Sequence, residues 1–433
     1  MPRHTLVHQL QDWATRRPDH VALRDKVRGA WRERTWRAYW DDARAVAKAL
    51  IDMGHQPDDC VAIVGDNRIE WVLLELGIMT ARGIPAPIYT TNTAEQAGYI
   101  VRNARAGIVI CDGRDQLLKL RAAVDAGHMD PPRYITMDTL DDAGDDVTAF
   151  EALVARGRTL PDEAVDARVD AIGEDQVALL IYTSGTTGKP KGVMLDHGGL
   201  VTNTNAVLEL VAEFDPALPN PTPYRTLSYL PLCHAAEQLL TTMGHLQTGG
   251  VVTFCPDLKL LKDYLVEVRP TIFLGVPRVW EKFEAALSAR LAATTGVKGA
   301  LARWARDTEL EASRTELQTG RPHTSLSRTL AHKLVIGKLK QALGLDALAY
   351  AITGSAPIGV ATLEFFASLG ITIHEAYGMS ETSGVCTVTP PRRPRFGRVG
   401  TAIRGVEIRI ADDGEVLLRG RAMTRGYLHL PDE

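Results

Sequence analysis

The stretch that most constrains this chain of 433 residues is Y-T-S-G-T-T-G-K-P-K-G-V-M, at positions 182–194. It follows the apolar run 176–181, which is typical of a buried strand, so the glycine-rich segment is expected to leave the edge of a sheet. Backbone N–H groups freed by glycine, together with hydroxyl and ammonium groups, suit a polyphosphate. The residues that we predict to contact nucleotide phosphates are Thr183, Ser184, Gly185, Thr186, Thr187, Gly188, Lys189 and Lys191.

This segment is not a Walker loop, because that loop requires G-x-x-x-x-G-K-[ST]. Here Thr183 stands at the position of the first glycine, and Pro190 follows Lys189. A polar surface loop rich in threonine and glycine is the alternative interpretation, which the short fragment G-x-x-G-K would not exclude. The full stretch favours a binding site for a triphosphate.

Composition and charge describe an ordinary globular chain. It has 45% hydrophobic and 24% charged residues, and its length predicts two or three subdomains. A formal charge of −4 gives no overall attraction to nucleic acid, so no nucleic-acid partner is predicted. The five cysteines are widely spaced and predict reduced core residues of a cytoplasmic protein. No C-x-x-C or H-E-x-x-H spacing indicates a metal site, and no signal peptide or transmembrane segment is predicted.

Strand and helix patterns alternate along most of the chain. Apolar residues recur at helical spacing from Trp36 to Leu50, a strand pattern follows at 60–64, and Thr93 with Gln96 predicts a capping box. This alternation predicts an α/β fold of right-handed βαβ units around largely parallel sheets. Ligands bind at the carboxyl ends of such strands, so the loops 353–357 and 377–382 are candidate site loops.

Three other segments are distinctive. The acidic interval 138–175 predicts a surface excursion or a link between subdomains. A helical pattern from about 278 to 345, broken near Gly296 and Gly320, predicts an inserted helical hairpin whose basic residues either contact a membrane or are simply solvated. Alternating residues on both sides of Asp413-Gly414 predict a β-hairpin at 406–420.

Motifs in the second half of the chain carry a family resemblance. The segment 182–194, A-Y-G-M-S-E-T at 376–382 and G-E-V-L-L-R-G at 414–420 stand in the order seen in adenylate-forming enzymes. The chain resembles an acyl-CoA synthetase. With L-P-L-C-H-A-A-E at 230–237 and G-V-P-R-V-W-E-K at 275–282, it is most similar to the large N-terminal domain of a long-chain fatty acyl-CoA synthetase.

The resemblance implies a fold and its division. Two doubly wound βαβ subdomains would pack together, with a smaller β-rich subdomain forming a distorted barrel. We expect the first α/β region at 1–175, the second at 176–390 with the phosphate segment and the insert, and the start of the β-rich subdomain at 391–433.

The resemblance also implies a reaction. A fatty acid carboxylate attacks the α-phosphate of ATP, pyrophosphate leaves, and the thiol of CoA then displaces AMP. Cations and oriented N–H groups have to neutralise the phosphates before the carboxylate can approach. Lys189 would act on the β- and γ-phosphates, Thr382 on the α-phosphate, and Glu381 would hold Mg²⁺, an ion that takes few protein oxygens.

The other implied site residues fall into two groups. Tyr377 would stack on adenine, and the remaining nucleotide contacts would be Gly354, Ser355, Ala356, Pro357, Glu375, Ala376 and Gly378. His234, Trp280 and Gly354 would line the acid pocket. Each single residue has a structural alternative: an exposed turn glutamate for Glu381, core packing for Tyr377 and Trp280, and a purely structural histidine for His234.

The family pattern continues beyond Glu433 into a T-G-D motif, a hinge and a mobile domain with a catalytic lysine. We therefore expect a truncated chain that binds ATP and fatty acid weakly and turns over slowly. Two alternatives stay open: an acyl-AMP ligase that feeds a carrier protein, and a non-catalytic module that binds ATP or an acyl group. Peripheral membrane contact and homodimer formation also stay open.

Overall fold

The computed structural model describes residues 5–183, 188–214, 224–390 and 395–430. The strands are β1 Val21–Val27, β2 Ala30–Thr35, β3 Cys60–Val64, β4 Ile84–Ile88, β5 Ile108–Cys111, β6 Arg133–Thr136, β7 Val147–Ala149, β8 Val177–Thr183, β9 Lys191–Asp196, β10 Arg225–Ser228, β11 Val251–Phe254, β12 Ile272–Leu274, β13 Tyr350–Thr353, β14 Ile373–Met379, β15 Gly384–Val388, β16 Thr401–Ala402, β17 Val406–Ile410 and β18 Val416–Gly420.

The helices are α1 Leu6–Arg16, α2 Trp36–Asp52, α3 Ile69–Thr80, α4 Ala94–Ala104, α5 Arg114–Asp125, α6 Phe150–Thr159, α7 Glu163–Asp170, α8 His197–Phe214, α9 Ala235–Gln238, α10 His245–Thr248, α11 Leu261–Val268, α12 Pro277–Ala292, α13 Gly296–Thr319, α14 Leu326–Ala331, α15 Gly337–Ala342 and α16 Val360–Ala367. Two π-helical turns join neighbouring helices: Leu239–Gly244 lies between α9 and α10, and His332–Ile336 lies between α14 and α15. Short 3₁₀ turns occur at Leu258–Leu260 and Ser380–Thr382.

The first sheet is parallel and has the strand order β4-β3-β5-β6-β7. Its strand β3, which pairs with β4 on one side and β5 on the other, is buried along its whole length. Val61 and Ile63 pack into one core with α2 and α3, whereas Ala62 and Val64 pack into a second core with α4 and α5. Helices therefore cover both faces, as a buried parallel sheet requires, and the predicted α/β class is confirmed.

The second sheet system combines two sets of strands. One has the order β10-β11-β1-β2, and the other has the order β12-β13-β14-β15-β16 with β12, β13 and β14 parallel. The two sets meet where the Thr271 N–H donates to the Arg225 carbonyl at 2.9 Å. Strand β1 pairs with β11, so residues 21–27 join this second system, which the division at position 175 did not anticipate.

The helical insert has the predicted extent and breaks. Helix α12 ends at Ala292, α13 begins at Gly296 and ends before Gly320, and both glycines have positive φ, at +65° and +66°. Helices α14 and α15 run back antiparallel to α13, because Ala305 packs with Ala331 and Ile336. The insert is therefore a helical hairpin preceded by α12.

The prediction of a surface excursion at 138–175 is wrong for its second half. Helices α6 and α7 pack against α2, and Phe150, Leu153 and Val165 are buried there. The acidic residues face outward on these helices, where Asp166 pairs with Arg44 at 2.5 Å. The sequence signal described only the solvated side of two amphipathic helices.

The predicted hairpin at 406–420 is confirmed. Strands β17 and β18 pair antiparallel, with Ile410 opposite Val416. Gly414 has a φ of +89° in the connecting turn, a conformation that glycine adopts without steric cost.

Candidate active site

A cavity of about 460 Å³ lies at the carboxyl ends of β13 and β14, between these strands, the end of β8, and helices α8 and α9. Its volume is within the range of about 300–1,000 Å³ that is typical of small-molecule sites. The residues predicted from the sequence that line it are Thr183, His234, Gly354, Ser355, Ala376, Tyr377, Gly378 and Glu381. The structure thus brings together residues from four separate segments.

A larger cavity, of about 620 Å³, lies at the opposite edge of β13 and β14, where these strands begin. Lys340, His374 and Phe396 line it, and Tyr350 lines both cavities. None of the residues selected from the sequence lies in it. We therefore place the candidate site in the 460 Å³ cavity.

The two described ends of the phosphate segment belong to the two strands of a hairpin. Strands β8 and β9 pair antiparallel, with Thr183 opposite Lys191, and Gly188 has a φ of +101° in the connection. Ser184, Gly185, Thr186 and Thr187 lie outside the described residues. The Lys189 ammonium lies 5.8 Å from the centre of the Tyr99 ring, and that of Lys191 lies 5.2 Å from the Tyr427 ring. Both cations are therefore beside an aromatic face, at or just before the start of β9.

A third segment extends the hairpin. The N–H groups of Arg425 and Leu428 donate to the carbonyls of Met194 and Gly192, at 3.0 and 2.8 Å. The Arg421 Nη1 donates to both oxygens of the buried Asp196 carboxylate, at 2.8 and 2.9 Å. Residues 421–428 are thus fixed against β9, and they carry Tyr427 toward the cavity.

The loop after β13 contains a strained residue. Ser355 has a φ of +69°, which is uncommon for a residue other than glycine, and it lies exposed at the cavity. At Gly354, a Cβ would lie 3.0 Å from the Ala376 carbonyl oxygen, so this position favours glycine. Ala356 and Pro357 follow as exposed residues and do not line the cavity.

Strand β14 brings Tyr377 and Gly378 to the cavity. Its pairing with β15 is irregular between these two residues, and a Cβ at Gly378 would lie only 1.8 Å from the Gly384 carbonyl oxygen. Gly378 is therefore required by the close approach of two backbones. Glu375 does not line the cavity: it is buried, its carboxylate accepts from the Gly397 N–H at 2.7 Å, and burial raises its pKa.

The turn Ser380–Thr382 places its two hydroxyl groups in different environments, which the sequence alone does not distinguish. Thr382 is buried, and its hydroxyl donates to the Gly384 carbonyl at 2.7 Å and accepts from the Met379 N–H at 3.1 Å. It supports the turn and does not line the cavity. Ser380, which lies in the predicted loop 377–382 but was not selected as a single residue, does line it.

Glu381 is a half-buried carboxylate at the cavity wall. Its Oε1 accepts a hydrogen bond from the Tyr427 hydroxyl at 2.9 Å, and its carbonyl accepts from the Thr424 N–H at 2.7 Å. Its Oε2 makes no hydrogen bond within the part of the chain that the structure describes. One carboxylate oxygen is thus fixed while the other is available, an arrangement that fits Mg²⁺, which takes one or two carboxylates and completes its shell with phosphate oxygens and water.

His234 begins α9, and its orientation follows from that position. Its Nδ1 accepts a hydrogen bond from the Ala236 N–H at 3.1 Å, as a helix N-cap does. A neutral ring that accepts at Nδ1 carries its proton on Nε2, and burial lowers the pKa of this imidazole. His234 can therefore donate a hydrogen bond from Nε2.

Trp280 lies outside the cavity. It is fully buried, it packs edge-to-face against Phe273 and Phe366, and its indole N–H donates to the Ile352 carbonyl at 3.2 Å. Ile352 itself lines the cavity. Trp280 thus supports the cavity wall from behind.

The apolar part of the cavity was not selected from the sequence. It is formed by Val207, Leu208, Leu239, Leu240, Leu274, Ile352, Val385 and Val388. The π-helical turn Leu239–Gly244 places Leu239 and Gly244, five residues apart, on the same wall, as the wider spacing of a π-helix permits. Apolar residues of this kind are indistinguishable from core residues in a sequence.

Two buried carboxyl groups lie behind that turn. Glu75 of α3 accepts from the Gln238 amide at 2.7 Å and from the Thr242 hydroxyl at 2.9 Å, and burial raises its pKa to about 8. Glu237 accepts from the Thr241 hydroxyl at 2.6 Å, and burial raises its pKa to about 7. These bonds fix the π-helical turn from the side opposite the cavity.

The glycine-rich hairpin, the cavity at the strand ends and the paired α/β sheets together define the class of adenylate-forming enzymes. A family model described as AMP-binding enzyme matches residues 10–428, and the chain belongs to this family.

Curated relatives extend over nearly the whole chain. A long-chain-fatty-acid–CoA ligase, ACSBG2, of Xenopus laevis is 35% identical over 99% of this chain and 58% of its own length. The human ACSBG2 is 32% identical over 96% of this chain and 62% of its own length. The chain therefore spans about 60% of the length of these relatives.

Solved structures support the fold. Apo MatB from Rhodopseudomonas palustris aligns with a TM-score of 0.70 at 22% identity, over 99% of this chain and 72% of that one. The N-terminal domain of FACL13 from Mycobacterium tuberculosis aligns with a TM-score of 0.68 at 18% identity, over 99% and 92%.

Proposed function

We propose that this chain binds ATP and a fatty acid in the 460 Å³ cavity and activates the acid as an acyl-adenylate. The observation that carries this proposal is the polarity of the cavity: Thr183, His234, Ser380 and Glu381 lie on its lining together with a continuous set of apolar side chains. A nucleotide would occupy the polar part, and an acyl chain would occupy the apolar part.

His234 would bind the carboxylate of the acid. Its Nε2–H donor is fixed by the hydrogen bond at Nδ1 and can contact a carboxylate oxygen without adding a permanent charge. In the reaction, this oxygen attacks the α-phosphorus of ATP, the bond to the bridging oxygen breaks, and pyrophosphate leaves with that electron pair. A neutral donor orients the nucleophile without neutralising it.

The phosphates would lie against the hairpin and the turn Ser380–Thr382. Because the Thr382 hydroxyl is bonded within its own turn, Ser380 is the better candidate for a contact with the α-phosphate. Lys189 and Lys191, at or just before the start of β9, would balance the charge of the leaving pyrophosphate. Glu381 would hold Mg²⁺, and the ion would supply charge neutralisation on the phosphate oxygens.

A second, much smaller cavity adjoins the apolar wall of the main cavity. It has a volume of about 30 Å³ and shares Leu208, Leu240 and Gly244 with the main cavity. A long apolar tail would follow the wall of the main cavity toward these shared residues. The names of the curated relatives favour the same substrate class and favour CoA as the acceptor of the acyl group.

Isothermal titration of the 433-residue chain with stable acyl-sulfamoyl adenosines tests the proposal without requiring turnover. We expect the stearoyl compound to bind at least tenfold more tightly than the acetyl compound, because only the former covers the apolar wall. His234→Ala should weaken binding of both compounds. Binding of neither compound, or equal affinity for both in the wild type, would contradict the proposal.

A further inference from the structure

We propose that the helical insert carries a docking surface for an anionic lipid bilayer. Within the described ranges, the surface consists of exposed apolar side chains on α13 and α14 and on the π-helical turn that follows α14. These residues, the insert face, are Val297, Leu301, Trp304, Leu326, Leu330 and Leu334. This inference does not depend on the proposed reaction.

The exposure of these side chains is unusual for their type. Val297 and Leu326 are each 86% exposed, and Leu330 is 50% exposed. Their spacing is helical: Val297, Leu301 and Trp304 follow one stripe of α13, and Leu326, Leu330 and Leu334 follow a stripe of the returning helix. Single exposed leucines need no explanation, but two parallel stripes form a contiguous apolar surface.

The two stripes lie on the same side of the helix pair. The pair is antiparallel, with Ala305 against Ala331 and with the Glu309 carboxylate receiving Arg328 at 2.8 Å and His332 at 2.7 Å. Leu301 lies one turn before Ala305, and Leu330 immediately precedes Ala331. At about 100° per residue, both stripes emerge beside the contact between the helices, on its solvent side.

The basic side chains of the insert indicate that the surface binds an anionic bilayer. Residues 317–345 contain no Asp or Glu and five basic side chains, Arg321, Arg328, Lys333, Lys338 and Lys340, in a chain whose net charge is −4. Arg328 and Lys340 are bonded internally, the latter to the Gly370 carbonyl. Lys333 and Lys338 are exposed and form no ion pair within the described ranges.

A bilayer fits this combination better than a protein partner does. Apolar side chains between exposed lysines are what an interfacial helix presents to anionic headgroups and the upper acyl region. No helix among residues 5–183, 188–214, 224–390 and 395–430 is long and apolar enough to span a membrane.

Co-sedimentation of the 433-residue chain with vesicles tests the inference. We expect the chain to bind vesicles of phosphatidylcholine that contain about 30% phosphatidylserine, a strongly anionic composition. It should bind little to vesicles of pure phosphatidylcholine, and added salt should release it from the anionic vesicles. Leu330→Asp/Leu334→Asp should bind at least tenfold more weakly, and Lys333→Glu/Lys338→Glu should lose the dependence on phosphatidylserine.

Leu118→Asp/Val266→Asp is the matched control, because both side chains are exposed on other helices, at 54% and 42%. It should bind like the wild type. Absence of wild-type binding to anionic vesicles, or equal loss in the control, would overturn the inference. Concentration-dependent dimer formation that Leu330→Asp/Leu334→Asp abolishes, without vesicle binding, would also overturn it and would indicate a second copy of the chain.

The fluorescence difference between the wild type and Trp304→Phe reports on the same contact without a charge substitution. We expect the Trp304 component to shift to shorter wavelength when anionic vesicles are added. No shift, at a vesicle concentration that sediments the protein, would place the contact elsewhere and contradict the inference. These measurements use neither ATP nor fatty acid, so their failure is distinguishable from a failure of the proposed reaction.

Discussion

The polar and the apolar parts of the cavity are fixed in different ways. The polar part, with Thr183, Ser355 and Glu381, lies on turns and strand ends whose positions depend mainly on backbone hydrogen bonds. The apolar part lies on α8, on a π-helical turn and on the strands β12, β13 and β15, and the π-helical turn is fixed by the buried carboxyl groups Glu75 and Glu237. The difference suggests that substitutions in one part should change nucleotide affinity, and substitutions in the other should change acyl affinity or stability.

The largest effect is expected for Glu381→Ala. Losing a carboxylate that holds Mg²⁺ should weaken the binding of ATP with Mg²⁺ by about 10–100-fold, as removal of a charged hydrogen-bonding partner does. Titration of AMP without Mg²⁺ is the internal control and should change little. A similar loss for both ligands would mean that Glu381 supports the fold of the turn.

Leu240→Trp should have the reverse selectivity. A larger side chain at the opening shared by the two cavities should reduce affinity for a stearoyl-adenylate analogue by about tenfold, because overpacking costs about 1–3 kcal/mol. The acetyl analogue and ATP should bind as they do to the wild type. Leu239→Met is the control variant, because methionine has nearly the same volume as leucine on the same wall. It should bind the stearoyl analogue about as tightly as the wild type does. Equal weakening of short and long analogues would remove the distinction between the two parts.

Tyr427→Phe removes one hydrogen bond from Glu381 while keeping the ring beside Lys191. We expect a loss of about 2–10-fold in affinity for ATP with Mg²⁺, the range for one hydrogen bond of about 0.5–1.5 kcal/mol. Affinity for stearate should not change. If Tyr427→Phe matched Glu381→Ala in size, the tyrosine would act through more than this bond.

Glu75→Gln tests the apolar side through stability. Burial raises the Glu75 pKa in the folded chain to about 8 from an ordinary value of 4.5, so the folded state binds more protons between these values. Stability should therefore fall as pH rises through this window, by up to about 1.4 kcal/mol per unit. Urea unfolding should be compared at pH 7 and pH 8, an interval that begins at the Glu237 pKa of about 7 and extends above it, which limits the contribution of that group.

In Glu75→Gln the decrease in the free energy of unfolding between pH 7 and pH 8 should be smaller by about 1 kcal/mol, because the amide does not ionise. Glu95→Gln, an exposed position at the start of α4, is the control and should keep the wild-type slope. If the free energy of unfolding of Glu75→Gln changed with pH as it does in the wild type, the prediction would be wrong. The Glu75 carboxyl would then keep one protonation state between pH 7 and pH 8.

The sequence predicted the strand ends well because their chemistry is local. Thr183, Tyr377 and Glu381 are polar or aromatic residues at or near the carboxyl ends of strands. The capping box at Thr93 is a contact over three residues that the structure confirms. Ser380 and Thr382 flank Glu381 symmetrically in the sequence. Only the backbone turn, with Ser383 at a φ of +56°, determines which hydroxyl lies at the cavity.

Features that depend on distant segments could not be predicted in the same way. The contact of Tyr427 with Glu381 joins residues 46 positions apart and depends on the pairing of residues 424–428 with β9. Trp280 is a tryptophan after a strand, a pattern that fits a pocket wall and a core equally well, and only packing shows that it lies behind the wall. The amphipathic helices α6 and α7 were not predicted, because the charged residues on their solvent-exposed faces dominate the composition of this interval.

The pairing of residues 424–428 with β9 has a consequence for dynamics. The amide protons of Arg425 and Leu428 are bonded to the same strand that follows the phosphate segment, so opening of this strand would expose them to solvent. Their hydrogen exchange rates should slow when nucleotide stiffens the hairpin. Two backbone amides far from any reacting atom would then report whether the site is occupied.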